Sequence, residues 1–167
     1  MDNHTYIRLI NKAYPLPSGF IPANLVDSGI PFDAPANDEK RLLEARAAQA
    51  ALSLFRAARQ EGLNLYGVSG YRSYLRQKQL FTGSPYVAPP GTSEHQSGLA
   101  LDLSCPCINM ELSEEFAETR EGIWLARNAS LYGFILRYPK NKEHITEFPY
   151  EPWHCLLYTS PSPRDCS

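Results

Sequence analysis

The fold of this chain is decided by the stretch Ser93-Glu94-His95-Gln96-Ser97-Gly98-Leu99-Ala100-Leu101-Asp102. The stretch joins an imidazole, His95, to a carboxylate, Asp102, through a segment in which Gly98 permits a sharp turn. Beyond the turn, apolar residues alternate with small or polar ones, and this period of two predicts a strand. Its apolar face carries Leu99, Leu101 and Leu103. Because alternate side chains of a strand point to opposite faces, we expect Asp102 to face away from the leucines and into a cleft.

A second segment, Glu151-Pro152-Trp153-His154, brings another imidazole beside a carboxylate. A catalytic zinc ion is usually held by three side chains and keeps a fourth position open. His95, Asp102 and His154 supply such a set, and a structural zinc site is disfavoured because no fourth Cys or His accompanies them. Glu151 is the candidate general base, and Trp153 is expected to pack beneath the ligand and orient it. The two segments therefore predict a mononuclear zinc hydrolase.

A third segment, Ser69-Gly70-Tyr71-Arg72-Ser73-Tyr74, follows a predicted strand over residues 63–71. The strand delivers Arg72 at its end, and a short helix over residues 73–81 bears Gln77. A planar guanidinium suits an oxyanion or a carboxylate, which favours a functional role for Arg72 over a structural ion pair.

Taken together, the three segments resemble the zinc D-alanyl-D-alanine carboxypeptidases of the VanY and VanX type. That family also includes L,D-carboxypeptidases that trim peptidoglycan stem peptides, and the resemblance covers about residues 15–154. It implies one catalytic zinc ion and a role for each site residue. His95, Asp102 and His154 would be the metal ligands. Glu151 would act first as the base and later as the acid, and Arg72 would stabilise the oxyanion. The substrate-binding residues would be Tyr71, Gln77, Ser93 and Trp153.

The resemblance implies zinc-dependent hydrolysis of the bond to a C-terminal D-amino acid in a peptidoglycan stem peptide or precursor. D,D-dipeptidase, L,D-carboxypeptidase and endolysin-type peptidase activities remain open, because cleft width and loops decide specificity. A non-catalytic peptidoglycan-binding module is a further alternative, since one fold hosts several functions. The presence of both Glu151 and Arg72 argues against it, because a site that only binds needs no base.

Composition describes an ordinary globular domain. The 167 residues are 43% hydrophobic and 20% charged, with a formal net charge of -2, which predicts one domain with a sizeable core. This charge balance argues against nucleic acid or an anionic membrane as the main partner. No run in the sequence is long and apolar enough to cross a bilayer.

We divide the chain into an N-terminal arm (residues 1–36), a catalytic domain (37–154) and a tail (155–167). The arm carries no visible signal peptide, which predicts a cytoplasmic protein if Met1 is the true start and a cell-envelope protein if an export signal precedes it. Residues 155–165 match the translation of a common transposase sequencing adapter, so we expect a non-native tail. Such a tail could continue a strand only over residues 156–158, and we leave Cys155 and Cys166 out of the cysteine count.

Two cysteines, Cys105 and Cys107, closely follow the first segment. One residue separates them, which is shorter than the usual two-to-four spacing of zinc ligands, and no second cysteine pair follows. We expect two thiols without a part in the zinc chemistry.

The remaining pattern predicts an α+β fold, with a small, mostly antiparallel sheet that carries the zinc site and is flanked by helices. One helix is expected from Asn37 or Asp38 to Gly62, a second over residues 113–132 with Ser113 as its cap, and a strand over residues 134–138. The second helix should bury Phe116, Ile123, Trp124, Ala126 and Leu131. His4 and His144 are expected to be ordinary surface residues.

Overall fold

A four-stranded antiparallel sheet carries the site in the computed structural model, which describes residues 9–158. Its strands run in the order β3-β4-β6-β5, and a separate pair, β1 and β2, is also antiparallel. The strands are β1 (Leu25–Asp27), β2 (Leu42–Glu44), β3 (Tyr66–Ser69), β4 (Ala100–Ser104), β5 (Phe134–Tyr138) and β6 (Glu151–Leu157). The helices are α1 (Ala45–Gln60), α2 (Tyr74–Leu80), α3 (Arg120–Asn128) and α4 (Glu143–Thr146). The predicted α+β fold is confirmed.

Strand β4 lies at the centre of the sheet, and every one of its residues is buried. Leu99, Leu101 and Leu103 belong to the hydrophobic core, as their alternation predicts. In the register between β4 and β6, Asp102 lies opposite His154. The sheet therefore brings together two side chains that are far apart in sequence.

The first helix begins later than predicted. Asp38 caps only a short 3-10 turn, in which its side chain accepts a hydrogen bond from the Lys40 N–H, and α1 begins at Ala45, where Glu44 is the cap. The prediction of a start at Asn37 or Asp38 is wrong, because β2 pairs with the arm strand β1, which holds residues 42–44 extended. Tertiary pairing overrides helix propensity here.

The second helix is divided into three pieces, a 3-10 turn at Glu114–Glu118, α3, and a 3-10 turn at Ala129–Tyr132. Thr119 is extended and caps α3 by accepting a hydrogen bond from the Gly122 N–H, whereas Ser113 makes no such bond. A Cβ at residue 122 would lie 1.8 Å from the Phe116 carbonyl oxygen, so this close approach requires glycine.

The break at Thr119 changes which side chains face the core. Phe116 is buried as predicted, but the exposed fractions of Ile123 and Leu131 are 42% and 75%. Glu121 and Leu125 are buried on α3 instead. The prediction of one continuous helical face is wrong, because an extended residue resets the helical phase.

Strand β3 is shorter than the predicted 63–71, so Arg72 lies in the loop beyond its end, just before α2. Helix α2, capped by Ser73, and strand β5 match their predictions. His144 is exposed on α4, as expected, and His4 lies outside the described residues.

The arm residues from 9 onward pack against the domain. Besides β1, the arm contributes Phe32, which forms a bridge to Gly67 of β3. A Cβ at residue 67 would lie 2.5 Å from the Phe32 ring, so glycine is required at this contact. At the other end, β6 extends to Leu157, and residues 159–167 lie outside the described part. Within residues 9–158, no helix has the length and apolar character needed to span a membrane.

Candidate metal centre and active site

Three elements deliver the predicted metal ligands. His95 lies in the 3-10 turn Glu94–Ser97, whose cap is Ser93. Gly98 ends that turn at a φ of 74°, a left-handed conformation that favours glycine. Asp102 and His154 extend from the paired strands β4 and β6.

The three side chains form one buried cluster, in which the ligand atoms all lie within 4.8 Å of one another. The Asp102 carboxylate lies between the two rings, with Oδ2 3.1 Å from His95 Nε2 and Oδ1 2.8 Å from His154 Nδ1. The Gly70 carbonyl oxygen is 2.7 Å from His95 Nδ1, which leaves Nε2 directed to the cluster. Two imidazole nitrogens and a carboxylate fit zinc, and backbone anchoring of a ligating histidine is typical of such sites.

The charges of this cluster are strongly coupled. Burial alone raises the pKa of Asp102, but the neighbouring His95 and hydrogen bonds from both imidazoles hold that pKa well below its ordinary value. Burial alone lowers the pKa of His154, but hydrogen bonds to Asp102 and Glu94 raise it to about 10. Without a metal ion, His154 is therefore an imidazolium between two carboxylates.

Zinc binding is consequently expected to displace a proton. Because Nδ1 of His154 must lose its proton to ligate, and Asp102 is already ionised, the apparent association constant should rise about tenfold per pH unit between about pH 7.5 and 8.5. Competition titrations against a chromophoric chelator at several pH values measure the slope. A pH-independent constant would contradict this description of His154.

Sequence reasoning missed a fourth residue, Glu94. Its buried carboxylate lies 3.0 Å from His154 Nε2 and accepts hydrogen bonds from Tyr138 Oη at 3.2 Å and Arg137 Nε at 2.9 Å. The Tyr138 ring also stacks on His154, with centroids 4.9 Å apart. A charged residue inside an otherwise buried segment was the available signal, but its partners come from β5 and β6. Glu94 therefore orients His154 from the side opposite Asp102.

Substituting Glu94→Gln should weaken zinc binding by about 10- to 100-fold, because a carboxylate that orients a ligating histidine is replaced by a neutral amide of similar shape. Chelator competition measures the affinity, and circular dichroism checks the fold. Glu118→Gln, at an exposed position, is the matched control. Equal zinc affinity in the two variants would contradict the role of Glu94.

Glu151 lies at the start of β6, partly buried beside the cluster. Burial raises the pKa of its carboxyl to about 7, reinforced by the nearby Asp102 and Glu94 and opposed by His154 and Arg72. A carboxyl group with a pKa near neutrality can both accept and return a proton, as a catalytic base requires.

Arg72 is held in a fixed orientation across the cleft. Its Nη1 donates to Gln77 Oε1 at 2.8 Å and its Nη2 to Ser69 Oγ at 3.0 Å. Gln77 is itself buried and donates to the Ala88 carbonyl oxygen at 2.8 Å. Gln77 thus positions the guanidinium.

A cleft of about 570 Å³ unites most of the predicted site residues. Its lining includes Arg72, Gln77, Ser93, His95, Asp102, Glu151, Trp153 and His154. Tyr71 is not among the lining residues. It is buried, and its backbone N–H donates to the Leu42 carbonyl oxygen at 2.8 Å.

Known proteins share this arrangement of sequence and fold. The sequence model of VanY, D-alanyl-D-alanine carboxypeptidase, matches residues 40–160. The Bacillus subtilis (strain 168) protein YodJ is 46% identical over 158 residues, which cover 89% of this chain and 58% of YodJ. The chain thus spans little more than half the length of that relative.

Solved structures agree. The LdcB LD-carboxypeptidase, whose structure addresses peptidoglycan recognition, is 46% identical with a TM-score of 0.86, over 89% of this chain and 74% of that chain. A variant of the vancomycin resistance D,D-pentapeptidase VanY in complex with Zn(II) is 28% identical with a TM-score of 0.73, over 93% of this chain and 89% of that chain. VanYB has also been solved with D-alanine-D-alanine.

The family match covers well over half of the chain, and it includes all three predicted metal ligands, Glu151 and Arg72. This chain belongs to the VanY D-alanyl-D-alanine carboxypeptidase family.

Proposed function

We propose that this chain is a zinc carboxypeptidase that releases a C-terminal D-alanine from peptidoglycan stem peptides. The main support for the proposal is that one cleft contains the His/Asp/His cluster, the Glu151 carboxyl group with a pKa of about 7, and the fixed guanidinium of Arg72. A protein that only binds peptides needs no such base. Peptidoglycan stem peptides are proposed as the substrate class because the relatives include a D,D-pentapeptidase and an LD-carboxypeptidase whose structure addresses peptidoglycan recognition.

His95, Asp102 and His154 would hold one zinc ion, through His95 Nε2, an Asp102 carboxylate oxygen and His154 Nδ1. When bound, zinc would act as a Lewis acid that polarises a carbonyl group and lowers the pKa of water. Three side-chain ligands leave room for water and substrate, which distinguishes this set from a closed structural site.

Glu151 would move the proton. As a carboxylate it accepts a proton from the attacking water, and as a carboxylic acid it then protonates the leaving amine. Its position in the cleft, partly shielded from solvent, keeps its pKa near the pH at which both forms are accessible.

Arg72 would stabilise the negative charge that develops on the scissile carbonyl oxygen. A guanidinium fixed in advance by Gln77 and Ser69 needs no reorientation during the reaction. Trp153 and Ser93 line the cleft and would contact the peptide.

A second candidate is L,D-carboxypeptidase activity, and the similarity to LdcB, at 46% identity, favours it specifically. The two activities act on different stem peptides, a pentapeptide ending in D-Ala-D-Ala and the tetrapeptide that remains after one D-alanine is removed. Either substrate places the activity on the cell wall or its precursors.

Product masses separate the two candidates. The zinc-loaded chain is incubated with each peptide alone, and the products are identified by mass spectrometry. Loss of one D-alanine from the pentapeptide alone indicates D,D-carboxypeptidase action, whereas loss from the tetrapeptide indicates L,D-carboxypeptidase action. Release of intact D-Ala-D-Ala would contradict both assignments and indicate a dipeptidase.

A further inference from the structure

A second cluster of metal-binding side chains lies beyond the end of β4. The Cys105 and Cys107 Sγ atoms are 3.2 Å apart. Together with the carboxylate of Glu121, in the first turn of α3, their ligand atoms all lie within 4.8 Å of one another. The proposed peptidase chemistry uses none of these residues.

This cluster is separate from the active site. Cys105 continues the alternation of Leu101 and Leu103, and all three belong to the hydrophobic core. Asp102 instead points into the cleft. Cys105, just beyond the end of β4, therefore lies on the core side of the sheet, and Asp102 lies on the cleft side.

The burial of Glu121 indicates that a cation binds here. Its side chain is more than nine-tenths buried, and its Oε2 accepts a hydrogen bond from the Asn64 N–H at 3.0 Å. Within residues 9–158, no Lys, Arg or His forms an ion pair with this carboxylate. A buried charge without a counter-charge is costly, and a cation between Glu121 and the two sulfur atoms would offset that cost.

The intervening loop brings the two thiols to the same place. Pro106 begins a 3-10 turn, Pro106–Ile108, and the Met110 N–H then donates to the Cys105 carbonyl oxygen at 3.1 Å. Cys105 is buried, whereas Cys107 is exposed and gives an ion a route from solvent. The single residue between the cysteines therefore does not prevent both thiols from binding one ion. The third ligand, Glu121, comes from α3.

We propose that Cys105, Cys107 and Glu121 bind one thiophilic divalent cation of the zinc class. Thiolate ligands favour such ions over magnesium or calcium, which prefer oxygen. At a Zn–S distance of about 2.3 Å, tetrahedral geometry places two sulfurs about 3.8 Å apart. The exposed Cys107 side chain can move by the small difference, and each thiol gives up its proton on binding.

Such an ion would tie the loop after β4 to the start of α3. The fourth position would face solvent beside Cys107 and be filled by water. Since neither thiol lies in the cleft, the ion would stabilise the fold without entering the peptidase reaction.

Cadmium ions are the sharpest probe, because a thiolate-to-cadmium charge-transfer band reports sulfur ligation and histidine–carboxylate sites do not produce it. The full-length reduced chain is titrated with Cd²⁺ and compared with Cys107→Ser, Glu121→Gln and His154→Ala. We expect a band that saturates with one sulfur-bound ion in the native chain and in His154→Ala. Glu121→Gln should bind about tenfold more weakly or worse, and Cys107→Ser should lose most of the band.

Cys107→Ser retains Cys105, Cys155 and Cys166, so it also controls for thiols elsewhere. Cys107 is exposed and does not line the cleft, and circular dichroism checks that the variant still folds. An undiminished band in Cys107→Ser, or no saturable band in the native chain, would overturn this second site. Neither outcome bears on the proposed catalytic zinc, because none of Cys105, Cys107 and Glu121 lines the cleft.

Discussion

Replacing Glu151 by Gln is expected to lower turnover by about 10²-fold or more while zinc content remains unchanged. General acid–base catalysis contributes on this scale, and an amide of the same shape cannot accept or return a proton. Glu151 lies in the cleft but is not one of the three proposed ligands. The loss should therefore fall on turnover and leave metal binding intact.

The measurement combines zinc analysis of the purified variant with initial rates of D-alanine release. Glu143→Gln, an exposed substitution on α4, is the matched control and should leave both values unchanged. If Glu151→Gln kept most of its turnover, the base would have to be another group. If it lost zinc, Glu151 would be a ligand.

The second large effect is expected at Arg72. Arg72→Lys should lower kcat by about 10²- to 10³-fold, the scale of losing an oxyanion donor, and should change KM much less. Lysine keeps the positive charge but lacks the planar fork of donors that Gln77 and Ser69 hold in place. The charge alone cannot restore the orientation.

The split between kcat and KM decides between roles for this residue. A larger rise in KM than fall in kcat would mean that Arg72 binds the substrate in its ground state. Arg76→Lys, on the exposed side of α2, is the control and should behave like the native chain. Gln77→Ala should reproduce part of the Arg72→Lys defect, because it removes the contact that positions the guanidinium.

The central strand was predictable because its information is local. Alternating leucines specify which face of β4 packs in the hydrophobic core, and the same alternation directs Asp102 to the opposite face and into the cleft. The clustering of His95, Asp102 and His154 was also expected, because zinc prefers these residue types and the sequence contains them in two short segments.

What could not be predicted depends on contacts between distant segments. Residues 42–44 are compatible with a helix, but their pairing with the arm strand β1 and backbone hydrogen bonds to Tyr71 and Gly98 hold them extended. In the same way, nothing near Thr119 in the sequence shows that the chain must break where Gly122 meets the Phe116 carbonyl oxygen.

Glu94 was missed for a related reason. In the sequence it is a neighbour of His95, yet its structural role concerns His154, which arrives on β6. The Arg137 and Tyr138 side chains that fix it come from β5. A residue that acts through a second residue on another strand leaves no local pattern that identifies its partner.

Zinc-dependent release of D-alanine is the most direct test of the central claim. The chain is stripped of metal with a chelator, reloaded with zinc, and assayed in both states on stem peptides that end in D-alanine, with products read by mass. We expect the reloaded chain to release a single D-alanine and the stripped chain to release none. Equal cleavage in both states, or no cleavage of either peptide by the zinc-loaded chain, would contradict zinc-dependent carboxypeptidase activity.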